Sequence, residues 1–149
     1  MIAGVRGVYG GKLVYAALSS GEERNVTWWD ALDYIGVDAY YTLSNKPNPT
    51  LADMKAGWAE PMKIMAGLSA KYKRPVILTE IGYRSHDGCA QHPWDSLCRS
   101  RVDTQEQYLA YRATFETLFN QPWLGGMFWW AWFADPYNSG PCDEGYSPK

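Results

Sequence analysis

Four runs of almost unbroken apolar residues punctuate the chain, at 12–18, 34–41, 75–81 and 126–132. Each is bounded by glycine, proline or polar residues, and none alternates cleanly between apolar and polar. Strands covered on both faces read this way, so the runs predict a parallel sheet. Between them the period changes. Thr50, with Asp53 three residues on, predicts a capped helix start. Pro61 fits the first turn of a further helix, where its missing N–H costs nothing. Met62, Met65, Leu68 and Tyr72 then recur every three or four residues, and Lys71, Lys73 and Arg74 gather at the end where positive charge is favoured. Between the third and fourth runs, Thr104 is expected to cap a helix and Gln107 to answer it. Tyr108, Tyr111, Phe115 and Leu118 are its expected buried stripe. Trp28, Trp29 and Leu32 suggest only a short helix between the first two runs. At the start, Val5 and Val8 share one side of a helix that Gly10-Gly11 stops.

The order is a repeated βα pattern, and right-handed crossovers make its strands parallel. Four such units fit half of a (β/α)₈ barrel; they also fit a small doubly wound sheet of the flavodoxin type. The 149 residues sustain one domain with its own core. A complete barrel takes about 250. The barrel reading therefore makes residues 1–149 one half of a domain, and a chain that begins inside a helix is expected to have lost what came before. No glycine-rich turn follows the first run, where Ser19, Ser20, Gly21, Glu22 and Glu23 stand instead. That weakens a dinucleotide-cofactor reading of the doubly wound alternative.

Charge and cysteine content narrow the function classes. The formal charge is -2 with both signs interspersed, which argues against nucleic acid as a partner. No apolar run approaches 18 residues, the length of a membrane span, and the first residues lack the apolar segment of a signal peptide. Cys89, Cys98 and Cys142 are an odd set. The Cys89–Cys98 spacing suits a small disulfide loop in an oxidising compartment; free thiols suit a reducing one. His86 and His92 form no tight zinc-ligand pattern with them. Eight Trp and eleven Tyr either fill a core or make platforms for flat, hydroxyl-rich ligands, and position must decide between the two.

In parallel α/β folds, ligands bind beyond the C-terminal ends of the strands. Glu80 ends the third run there. Period two places it on the face of Val76 and Leu78, and over the barrel interior if that face points inward. A carboxylate so placed needs a partner: either Arg84 neutralises it, or it is catalytic. Gly36, Asp38 and Tyr40 share a face of the second run. Asp38 is either a second acid in the same cavity or a buried acceptor. Tyr40 and Tyr83 are candidates to bring hydroxyls near Glu80. Gly126, Phe128, Trp130 and Trp132 share a face of the fourth run, and the upper two make an aromatic wall, with Trp129 a candidate for core filling. Glycoside hydrolysis needs two carboxyl groups, and the chain offers one strongly placed candidate.

The segments KLVYAA, DYIGVDAYY, RPVILTEIGYRS and GGMFWWAW resemble the last four strands of clan A glycoside hydrolases, most of all the family 113 type of β-mannanase. The resemblance runs from the helix before the first strand to the tail GYSPK. It implies a partial (β/α)₈ barrel, strands five to eight, truncated at both ends, from a retaining hydrolase of β-linked polysaccharide. It places Glu80 on the nucleophile position, Tyr40 in the aromatic region beside it, and Trp130 and Trp132 along the sugar site. The acid/base glutamate of the clan lies in an Asn-Glu pair ending the fourth strand, before Met1. No metal or organic cofactor is implied. The expected partners are a poly- or oligosaccharide and the missing half-barrel, or a second copy joined through the open sheet edges. Two other readings follow from the same residues: a non-catalytic carbohydrate-binding barrel, and a complete small α/β domain with a structural role.

Overall fold

The computed structural model describes residues 1–97, 101–131 and 146. Four strands, β1 (Val14–Leu18), β2 (Tyr34–Asp38), β3 (Val76–Ile81) and β4 (Leu124–Trp129), lie in the order β1-β2-β3-β4, and every neighbouring pair is parallel. Helices α1 (Ile2–Arg6), α2 (Glu22–Asn25), α3 (Leu51–Gly57), α4 (Ala59–Tyr72) and α5 (Thr104–Leu118) occupy the intervals, with a 3-10 turn at Trp29–Ala31. This is the alternating α/β order of a partial (β/α)₈ barrel. Among the described residues no helix is long and apolar enough to cross a membrane.

Local chemistry sets most element ends. Thr50 and Asp53 form a reciprocal capping box at the start of α3. Pro61 sits in the first turn of α4, and Met65 is its most buried side chain. Three expectations need correction. The helix α1 ends at Arg6, short of Gly10-Gly11, so Val8 lies beyond it, and both valines are exposed. The cap of α5 is Asp103, whose carboxylate accepts from the Glu106 amide. Asp103 already has non-helical backbone and an acceptor at the right reach, so Thr104 becomes the first helical residue. The buried side of α5 is Gln107, Ala110, Tyr111, Thr114 and Leu118, while Tyr108 and Phe115 are exposed.

The core lies between the helices and one face of the sheet. Ile35, Val37, Val76, Leu78 and Ile81 point into it, packed with Met54, Trp58, Met65, Ala110 and Leu118, all fully buried. Trp129 belongs to this face too, stacked on Tyr111 of α5 at 4.5 Å between ring centroids. Full burial of each large apolar side chain is worth about 1.5–3 kcal/mol. The opposite face, the inside of the barrel, carries Val14, Leu18, Phe128 and Trp130, all exposed.

Strand β3 contains one extra residue. Val37 pairs with Leu78 and Asp38 with Glu80, so β3 advances two positions while β2 advances one. On the other side Leu78 pairs with Met127 and Ile81 with Trp129. Both neighbours place the irregularity at Thr79 and Glu80. Because Leu78 and Ile81 both face the helices, the two residues between them face the barrel interior. This corrects the route by which Glu80 reaches the interior. It does not share the face of Val76 and Leu78, as strict alternation required; the bulge turns it away from them.

Candidate active site

At the C-terminal ends of the strands, Glu80 Oε2 accepts a hydrogen bond of 3.0 Å from the Tyr40 hydroxyl. Burial first, and the Glu80 carboxylate second, push the Tyr40 phenol well above its ordinary range, so it remains a donor across the working pH range. Tyr40 lies two residues past the end of β2, on a tight turn in which its amide donates to the Asp38 carbonyl. The Tyr146 ring meets Tyr40 edge-on at 6.5 Å. The Ala39 amide donates to the Glu80 carbonyl, which fixes the strand end beneath the carboxylate. Among the described residues Glu80 is held by Tyr40 and not by Arg84, which is itself buried.

Asp38 Oδ1 accepts from the Thr79 hydroxyl at 2.8 Å. It therefore serves as an acceptor one strand away from Glu80. Trp130 follows β4 directly; its amide donates to the Ile81 carbonyl, its ring is half exposed on the interior side, and its peptide bond to Ala131 is cis. The backbone of Gly82 runs against the Trp130 carbonyl so closely that any Cβ there would collide with it. That contact sets the spacing between the Glu80 strand and the Trp130 segment. Trp132 lies outside the described residues, as do Cys98 and Cys142.

Tyr83 is a correction. It is 1% exposed, and its hydroxyl pairs with Thr114 on α5 at 3.1 Å. The bulge and Gly82 together return the chain to the helix side, so this ring packs against Tyr111 and cannot touch anything at the mouth.

Two residues that carry no periodic signal also belong here. Trp94 stands 55% exposed on the segment between β3 and α5 and, with Asp38, Tyr40 and Thr42, walls a cavity of about 440 Å³. Tyr146 joins that loop to Tyr40, its hydroxyl donating to the Pro93 carbonyl at 3.3 Å. The length of the connection from β3 to α5, far beyond the usual βα loop of about 2–6 residues, was the only hint in the sequence.

Other titratable groups in this loop have structural work. Asp87, Asp103 and Glu106 bring carboxylate oxygens within 4.8 Å of one another. Glu106 accepts from the Gly88 and Ala90 amides, Asp103 caps α5, and Asp87 pairs with Arg101. Cys89 is a free, buried thiol, pushed up by burial and by Glu106.

A parallel βα sheet with a carboxylate and an aromatic wall at its strand ends is the site architecture of barrel hydrolases. The family model for Glycoside Hydrolase Family 113 matches residues 1–147, and the chain belongs to that family. Among solved structures it is similar to a family 113 β-1,4-mannanase, at 26% identity and a TM-score of 0.80, over 98% of this chain and 44% of that one. It is also similar to the family 113 β-mannanase of Alicyclobacillus acidocaldarius solved with ManMIm. There the identity is 29% and the TM-score 0.72, over 88% of this chain and 38% of that one. The β-glucuronidase of Ruminococcus gnavus, at 14% identity and a TM-score of 0.63 over 88% of this chain and 22% of that one, shares the fold. The chain thus spans less than half the length of the mannanases it matches. No curated protein sequence matches it.

Proposed function

We propose that residues 1–149 are the nucleophile-bearing half of a β-mannanase barrel that hydrolyses β-linked mannan with retention of configuration. The observation that carries this is Glu80, turned into the barrel interior at a strand end and bonded by the Tyr40 hydroxyl, in a family 113 chain. In the proposed reaction the Glu80 carboxylate attacks the anomeric carbon as the glycosidic C–O bond breaks. A glutamic acid from the barrel's other half protonates the departing oxygen. The same residue then takes a proton from water, whose oxygen displaces Glu80 from the sugar. Tyr40 orients the carboxylate, Trp130 stacks on the sugar beside it, and Asp38 shapes the polar floor. The scheme uses no metal or organic cofactor.

In this reading the exposed interior face of Val14, Leu18, Phe128 and Trp130 is covered by the remaining strands of the barrel. A chain on its own associates with a second copy through the same face and the two sheet edges, which size-exclusion chromatography would show as a concentration-dependent dimer.

The test is Glu80→Gln in the full-length enzyme. The amide keeps the shape and the Tyr40 bond but is no nucleophile. Hydrolysis of mannooligosaccharides should fall by roughly a thousandfold or more while their binding stays within a few-fold. Near-normal turnover in the variant would remove Glu80 from the mechanism.

A further inference from the structure

Trp94 is an exposed tryptophan on a segment that is firmly tied down. The Thr42 hydroxyl donates to the Gln91 carbonyl at 2.8 Å, and the Leu43 amide donates to the Ala90 carbonyl at 2.8 Å. Buried Glu106 grips the Gly88 and Ala90 amides, each at 2.9 Å. Tyr146 bonds the Pro93 carbonyl immediately before Trp94, and Pro93 itself is buried. The loop so anchored holds its indole half exposed against the cavity over the ends of β1 and β2. His92 braces the ring edge-on at 5.4 Å.

What the indole faces is mainly apolar surface edged by polar groups. The cavity of about 440 Å³ beside it sets Leu18 and the Tyr41 ring among the hydroxyls of Ser19, Ser20, Tyr40 and Thr42 and the Asp38 carboxylate. Its size falls in the range of about 300–1,000 Å³ common to small-ligand clefts. A half-exposed aromatic plane opposite hydroxyls and a carboxylate suits a pyranose ring, which has an apolar C–H face and a rim of hydroxyls. The cavity lies over the ends of β1 and β2, whereas Trp130 follows β4. Glu80, on β3, stands between the two, and Tyr40 belongs to both the cavity and the Glu80 site.

We propose that Trp94 is the platform of a second sugar subsite, on the side of Glu80 away from Trp130, with Ser19, Ser20, Thr42 and Asp38 as its hydroxyl partners. The proposal rests on the hydrolase reading and adds a direction to it: a β-linked oligosaccharide runs across the strand ends from the Trp130 side, over Glu80, to Trp94.

The test is a titration of the full-length Glu80→Gln protein, labelled with 5-fluorotryptophan, with mannotriose, followed by ¹⁹F NMR. The Trp94 and Trp130 signals are assigned from W94Y and W130Y. Both signals should shift saturably. Trp94→Ala should weaken mannotriose binding by roughly tenfold, the worth of one aromatic stacking contact, with an unchanged thermal midpoint because the ring packs on little; Trp94→Tyr should stay within about threefold of wild type. A Trp130 signal that moves while Trp94 does not, or equal affinity in Trp94→Ala, overturns the subsite and leaves the hydrolase reading standing. If neither signal moves at saturating mannotriose, both are overturned.

Discussion

Replacing Thr114 by Val tests whether Tyr83 is a structural residue. The Thr114 hydroxyl donates to the Ala110 carbonyl at 2.9 Å and accepts from the Trp58 indole N–H at 3.2 Å. With its one proton spent on Ala110, its bond to Tyr83 at 3.1 Å must have Tyr83 as donor. Thr114 and Trp58 are fully buried and Tyr83 nearly so, so no solvent can replace the lost acceptor. Valine keeps the volume but strands two buried donors, each at about 1–3 kcal/mol. The helix carbonyl of Ala110 keeps its i+4 amide and loses little. The net loss is about 2–6 kcal/mol, which at a urea m-value of about 2 kcal/mol/M lowers the unfolding midpoint by about 1–3 M. Thr114→Ser retains the hydroxyl and loses one methyl, for about 1 kcal/mol. Equilibrium urea unfolding followed by tryptophan fluorescence measures both. A Thr114→Val loss below about 0.5 kcal/mol, or a larger loss in Thr114→Ser, would show that this hydroxyl does not tie Trp58, α5 and the Tyr83 segment together.

Tyr40→Phe in the full-length enzyme removes the donor to Glu80 and keeps the ring against Tyr146; kcat on mannooligosaccharides should fall by roughly 10- to 100-fold, from a charge-assisted bond worth about 1.5–3 kcal/mol. An unchanged kcat would separate Tyr40 from the reaction. Asp33 accepts from the Leu13 amide and from Arg6 and Lys12, and these hold its carboxyl well below the ordinary value of 3.8. Its folded value is lower than its unfolded one, so its stabilisation is present above about pH 4 and is lost as the pH falls through the folded value. Asp33→Asn should therefore melt earlier than wild type at pH 7, with the gap closing in acid; a constant gap in thermal midpoints from pH 7 to pH 2 would contradict this.

Much of the architecture was legible because burial on both faces leaves so plain a trace. The four apolar runs became four parallel strands; the first three are shorter than their runs by one to three residues, Tyr40 and Tyr41 leaving the ladder, while β4 begins two residues before its run, at Leu124. The Thr50–Asp53 box and the proline turn of α4 were readable since local chemistry alone decides them. The cap of α5 was not, because Asp103 and Thr104 are both good cap residues and only the chain's path chooses between them. Glu80 stands out by its place at a strand end, but strict alternation gives it the wrong face. Alternation has no way to show an inserted residue, which exists only relative to the neighbouring strands. The same insertion carried Tyr83 to the helix side. Trp94 escaped notice because a loop has no period; its role depends on where Thr42, Glu106 and Tyr146 pin it, contacts far apart in sequence.

The inserted residue in β3 has a practical meaning for anyone altering this mouth. A regular strand offers every second position to its cleft, so neighbouring side chains cannot be varied together without damaging the core. Here Thr79 and Glu80 both open onto the same side, one engaging Asp38 and the other Tyr40. A randomised library confined to these two consecutive codons would sample paired chemistries at one spot while Leu78 and Ile81, on either side, stay untouched in the core.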